Sequence, residues 1–284
     1  MAELHSETIA SFTDPPVAEV VTSLRFAPMS PQSFLGIASL WESAWAEQFP
    51  RFDLQGPYQV PVESFDKQRF GPPGIEFGFQ AMPPLPRVWL TSASGTELLQ
   101  IQADWFAANW RRDAVPGHPH APTADYDRWH SRREAFVRNL QVLSDWLRQR
   151  GEEVAPVQCE VTYINHIRPI DGVFFSHSDA ANVFRGIHPE GGEGCDPEQF
   201  AFNAQYVIPR EDALPESRLH ASVTPAYAGP GPEPSPILIF ELTVRGAPSG
   251  DGDLLRFFDR GRRAIVQSFV QLTSDDARRA WGQE

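Results

Sequence analysis

Two hydrophobic periods alternate along the chain. "PPVAEVVTSLRFAP" is rich in β-branched residues after a Pro-Pro pair and predicts a first strand from about Val17 to Phe26. "SPQSFLGIASLWESAWAEQFP" changes to helical spacing, with Phe34, Ile37, Leu40, Trp41 and Trp45 on one stripe. Ser30 is placed to cap that helix, Pro31 suits its first position, and Pro50 ends it. From Arg51 to Pro86 the chain accumulates Pro, Gly and Phe without a period, which predicts a long irregular excursion.

"PRVWLTSASGTELLQIQADWFAANW" then reads as a hairpin turning at Ala93-Ser94-Gly95, its second strand running on into Asn109-Trp110-Arg111-Arg112. A Pro/His loop, "VPGHPHAPT", leads to the longest helix, Ala124 to Arg150. Its stripe is Tyr126, Trp129, Phe136, Val137, Leu140, Leu143 and Leu147, with Gly151 placed to terminate it. "VAPVQCEVTYINHIRPI" is the most strand-like segment of all. After a turn-rich stretch containing "GIHPEGGEGCDPE", three further strands follow in "QFAFNAQYVIP", "SRLHASVTPAY" and "PILIFELTVRG". A closing helix spans about Asp253 to Thr273.

This order predicts an α+β protein: an antiparallel sheet with helices on one face, a β-α-β-β-α-β unit followed by β-β-β-α. The expected divisions are an α+β domain over residues 1–170, a linker over 171–199, and a C-terminal part over 200–284 that extends the same sheet or makes a second one.

Four strands share one design, because successive side chains of a strand point to opposite faces. Leu99, Ile101 and Ala103 oppose Gln100, Gln102 and Asp104; Val157, Cys159, Val161 and Tyr163 oppose Gln158, Glu160 and Thr162. Leu219, Ala221 and Val223 oppose His220, Ser222 and Thr224, and Leu238, Phe240, Leu242 and Val244 oppose Glu241, Thr243 and Arg245. The polar face either meets water, as antiparallel sheets commonly do, or forms a surface for a ligand, a peptide or a second subunit. Its short amides and hydroxyls suit ordered hydrogen bonding.

Composition narrows the choices. In 284 residues the apolar share is 41% and the aromatic share 12%, enough for an ordered core. The net charge of −13 argues against nucleic acid as a partner, since phosphate binding needs a basic footprint. Lys67 is the single lysine among many arginines. Two cysteines, Cys159 and Cys195, make no disulfide framework, and the N-terminus lacks the features of a signal peptide. With no apolar run of membrane-spanning length, a cytoplasmic protein without a membrane partner is expected.

Phosphate-loop, dinucleotide, nucleophile-elbow, zincin and C-x-x-C motifs are missing from the chain, and no cofactor is expected. His118-Pro119-His120 is the nearest approach to a metal pair, but its proline setting points away from a metal site. His177 and Asp179 in "SHSD" read as a solvated loop, and Cys159 as an inert packing residue. The binding candidates are Asn109, Trp110 and Arg111 at the strand corner, with Gln100, Gln102 and Asn165; the corner either caps the core edge or clamps an anion. Tyr163, His166 and Glu160, with Arg111, are the candidates for catalysis if there is any. For Tyr163, Asn165 and His166 a polar core network is the competing role.

The elements "FTDPPVAEVVTSLRF", "LWESAWAEQFP", "LLQIQADWFAANWRR", "YDRWHSRREAF", "CEVTYINHI" and "FVQLTSDDARRAWG", in this order, resemble a sporadically distributed family of uncharacterised bacterial proteins of similar length. Asn-Trp-Arg and Tyr-Ile-Asn are its most specific marks. The resemblance implies a bacterial cytosolic protein from an accessory locus, of the defence, toxin–antitoxin or specialised metabolic kind, and transfers no catalytic residue. The expected function is therefore a non-enzymatic binding or interaction protein, holding a protein partner or a small polar ligand and able to form a homodimer. The alternative is an enzyme acting on a small polar substrate in a sheet-lined pocket.

Overall fold

The computed structural model describes residues 10–59, 61–65, 85–112, 129–186, 197–211, 214–229, 234–248 and 254–283. It is an α+β protein whose nine strands form an antiparallel sheet. In chain order the strands are β1 (Val17–Phe26), β2 (Arg51–Gln55), β3 (Arg87–Thr91), β4 (Glu97–Gln102), β5 (Trp105–Arg111), β6 (Pro156–Ile167), β7 (Phe202–Ile208), β8 (Ser217–Ala228) and β9 (Ser235–Gly246). They lie side by side in the order β2-β3-β4-β5-β1-β6-β9-β8-β7. Two compact units are built on this chain, and the division runs through β1, β6 and β9. One draws on Val21–Glu160 and Arg245–Asp251, the other on Met1–Val20, Val161–Val244 and Gly252–Glu284.

In the first of these units, Ser30 caps helix α1 (Pro31–Leu35) as its sequence predicts, its hydroxyl accepting from Ser33 N–H at 3.1 Å. Gly36, between α1 and α2 (Ile37–Leu40), admits the Trp146 ring, since a Cβ there would sit 3.0 Å from it. A π-helical turn over Trp41–Trp45 then rotates Trp45 inward, where its indole N–H donates to Asn139 Oδ1 at 2.9 Å. Asn139 belongs to α3 (Trp129–Arg148), whose Phe136, Leu140, Leu143 and Leu147 are buried. Gly151, at φ +75°, ends the run, and Glu152 N–H bonds back to Leu147 C=O. The predicted helix start, Ala124 to Arg128, lies outside the described residues.

Two sequence expectations are corrected in this unit. The irregular excursion begins with a real strand, β2, paired antiparallel to β3 from Arg51↔Thr91 to Gln55↔Arg87. Phe52 and Leu54 did carry the two-residue period, but five residues on a sheet edge bury too little to register as a pattern. The supposed single strand from Leu98 to Trp110 is two strands, folded at Ala103-Asp104. Backbone N–H groups of Phe26 and Met29 bind the carbonyls of Asp104 and Ala103, and Arg25 meets the Asp104 carboxylate at 3.3 Å. The alternation of apolar and polar residues continues across the turn, so sequence period alone hides it.

In the other unit, β8 alternates as predicted: Leu219, Ala221 and Val223 are buried and Thr224 is exposed. Helix α5 (Leu254–Leu272) lies directly on β6 and β9. Gly261 permits this, since a Cβ there would come 3.3 Å from Val161 and 3.6 Å from Val244. Phe184, Phe202, Phe240 and Phe269 form an aromatic cluster, with Phe184 and Phe240 centred 5.1 Å apart, edge to face. The "SHSD" stretch is not a solvated loop. Asp179 accepts from Phe175 and Ser176 N–H groups, which hold its carboxyl below the usual range, and starts the short helix α4 (Ala180–Val183). His177 is buried, its Nε2 donating between the carbonyls of Ala226 and Ile237 at 2.9 and 3.2 Å. A last helix, α6 (Asp275–Ala280), is capped by Ser274, whose hydroxyl accepts from Ala277 N–H at 3.2 Å.

Glu152 ties the two ends of the helical layer in the first unit together. Its carboxylate accepts from Ser33 Oγ at 2.6 Å, from Ser30 Oγ at 2.7 Å and from Ser30 N–H at 2.9 Å. The Ser33 bond and then the two Ser30 bonds hold its pKa below the ordinary carboxylate value. Because the folded value is the lower one, the stabilisation is full above the ordinary carboxylate pKa and is lost as pH falls through the folded value. Glu152→Ala is expected to lower stability by about 1 kcal/mol at neutral pH. Urea unfolding should show that difference shrinking as pH falls through the carboxylate range.

Candidate functional site

The unit containing β2 to β5 has a polar sheet face, and it is covered. Gln100, Asn109, Gln158 and Glu160 are all less than 9% exposed, so the expectation of a face open to water fails here. The cover begins with the sheet itself. Register places Trp89 of β3 directly opposite Gln100 of β4, and Asn109 of β5 on the next diagonal. Trp89 Nε1 donates to Gln100 Oε1 at 3.0 Å, and Gln100 Nε2 donates to Asn109 Oδ1 at 2.8 Å. The three side chains are one polarised chain running across three strands.

The segment after β2 then crosses this face. Gln102 holds it at Tyr58, accepting from Tyr58 N–H at 2.8 Å and donating to Tyr58 C=O at 3.0 Å. Gln158 of β6 repeats the device, accepting from Glu63 N–H and donating to Pro61 C=O, both at 2.8 Å. Each glutamine imitates a neighbouring strand's peptide group, with one donor and one acceptor offered to passing main chain. The Tyr58 ring consequently packs on Trp105, centroids 5.4 Å apart.

Charges complete the face. Arg245 of β9 pairs with Glu160 and lies 3.9 Å from Glu63. Burial by itself would lower the Arg245 pKa; the attraction of Glu160, then of Tyr58 and Glu63, outweighs it and raises the value. Arg87 is different. Its guanidinium lies 5.5 Å from the Tyr58 ring centre and 5.3 Å from that of Trp89, while Arg111 approaches the same Trp89 ring at 5.8 Å. Arg87 makes no ion pair among the described residues, its Nε is buried without a hydrogen-bond partner, and burial lowers its pKa.

The structure thus gathers Gln100, Gln102, Asn109 and Arg111 on one face. Trp110 stands on the opposite one, in the layer of Phe106, where Arg132 of α3 covers it at 5.8 Å. Asn165 belongs to the other unit, buried and donating to Phe240 C=O at 3.0 Å, a core bond. The catalytic candidates do not converge. Tyr163 and His166 differ in strand parity and point to opposite faces of β6, and Glu160 is neutralised by Arg245. Burial pushes the Cys159 thiol up, away from thiolate chemistry. His118, His120 and Cys195 lie outside the described residues, and no metal-holding cluster of His, Cys, Asp or Glu occurs among the described ones. No described helix is long and apolar enough to cross a membrane. Arg87, Trp89 and Tyr58 escaped sequence reasoning; the alternation of Arg87, Trp89 and Thr91 in "RVWLT" was the available signal.

The Glu160–Arg245 pair, about one-tenth exposed on each side, should respond asymmetrically to mutation. Arg245→Met removes the cation beside two buried carboxylates, Glu160 and Glu63, and is expected to cost about 3–5 kcal/mol, whereas Glu160→Leu combined with Arg245→Met should recover part of it in denaturant titrations, Glu63 accounting for the remainder. The chain matches no protein-family model, no curated protein and no solved structure in the comparisons made.

Proposed function

We propose that the protein is a non-enzymatic binding protein of a bacterial accessory locus, and that it holds a small polar ligand carrying a carboxylate or phosphate at the Arg87–Trp89 end of its covered sheet face. One observation carries this reading. In a chain of net charge −13, the Arg87 guanidinium is half-buried between two aromatic rings without a carboxylate partner among the described residues.

A guanidinium so placed has already lost part of its hydration, and its planar donor fork suits two-point binding of an anion. Arg111 adds positive charge beside the same indole. Gln100 locks that indole from below through Nε1, so the recognition surface is set before a ligand arrives. Specificity for a flat or apolar body next to the anionic group would come from the exposed portions of Tyr58 and Trp89.

The test uses inorganic phosphate and benzoate as probes, read by thermal unfolding and by tryptophan fluorescence. At least one of the two is expected to raise the unfolding temperature of the wild-type chain and to change its emission. Arg87→Gln should abolish both responses while unfolding at a similar temperature without probe. A wild-type protein indifferent to both anions, or a variant that responds as before, defeats the reading.

A further inference from the structure

Strand β7 ends the sheet. It pairs with β8 along all seven of its residues, and among the described residues no strand pairs with its other edge. Edge strands of monomeric proteins usually carry charge, proline or a bulge that discourages further pairing. β7, "FNAQYVI", has none of these, and Tyr206 and Val207 are 43% and 60% exposed. We propose that β7 pairs antiparallel with β7 of a second copy of this chain, about a two-fold axis at Ala204.

The register follows from two constraints. Alternate residues of a strand direct N–H and C=O to the same edge, so a strand can pair with its own copy about a two-fold only when the axis falls on a residue. An axis at Ala204 sets Phe202 opposite Tyr206, Asn203 opposite Gln205, Ala201 opposite Val207 and Phe200 opposite Ile208. It also sets Glu198 opposite Arg210, twice by symmetry. Both side chains are exposed, and neither makes an ion pair among the described residues of its own protomer. Moving the axis to Gln205 sets Arg210 opposite Phe200 and loses both pairs.

Packing agrees with this choice. Phe202 already stacks with Phe200 at 6.1 Å and meets Phe184 edge-on at 5.6 Å, so Tyr206 of the second copy would extend an existing aromatic row. Chains of net charge −13 repel one another on average, and a strand with no charge in its seven residues, with Glu198 before it and Arg210 after it, is where two of them can approach. The pairing stands independently of the anion site.

Sedimentation velocity of the full chain over a range of concentrations is expected to show a monomer–dimer equilibrium. Ala204→Lys sets two ammonium groups face to face on the axis and should leave only monomer. Arg210→Glu, at an exposed position outside the fold's packing, turns both ion pairs into carboxylate pairs and should raise the dimer dissociation constant about tenfold. Glu198→Arg combined with Arg210→Glu should restore it. Circular dichroism and thermal unfolding confirm that each variant is folded. A strictly monomeric wild type, a dimer indifferent to Ala204→Lys or to Arg210→Glu, or a double variant no better than Arg210→Glu alone overturns the proposal.

Discussion

Gln102 and Gln158 each commit both ends of a side-chain amide to the main chain of the segment that crosses their sheet face. A polar sheet face can leave water only if its amides and charges find partners, since an unsatisfied buried group costs about 1–3 kcal/mol. A strand or a helix laid over this face would bring its own backbone bonds already closed and leave those amides empty. A non-repetitive segment brings open N–H and C=O groups, and the two glutamines close them. The covering segment and the face it covers are therefore each other's condition of stability.

That mutual satisfaction also sets the candidate recognition surface. Gln102 grips the backbone of Tyr58, and the phenol ring then lies against Trp105 and near the Arg87 guanidinium. Gln100 performs the same office for Trp89 from the opposite direction, and is itself oriented by Asn109. Arg87 thus stands beside one ring held by its own hydrogen bond and another whose backbone is held. A preorganised surface of this kind loses little freedom on meeting a ligand.

The other unit solves the burial problem by packing. Two of its buried polar contacts are direct and short: Thr162 and Thr243 hydroxyls meet at 2.8 Å, and Asn165 donates to Phe240 C=O at 3.0 Å. Arg260, buried on α5, donates to the carbonyls of Pro215 and Ile208, fastening the helix to the end of β7 and the connection that follows it. Gly261, the next residue, lets the same helix approach Val161 and Val244. Burial of Arg260 works to lower its pKa, and Glu211 works against that at 3.8 Å.

The features legible from the chain alone are local. The first strand, the Ser30–Pro31 helix start, the Gly151 stop and the alternation of β8 depend on steric preference, capping and period, all of which act within a few residues. The three-dimensional fold makes β2 a strand, since its partner is more than thirty residues away in sequence. It also decided that the polar face is covered, and that Trp110 and Arg111, adjacent in the chain, serve opposite faces. The fold at Ala103-Asp104 reverses which residues share a side, and no pattern continuous through a turn can announce that reversal. Glutamine on a strand reads the same whether it meets water or a passing backbone; the difference lies in a segment that carries no period of its own.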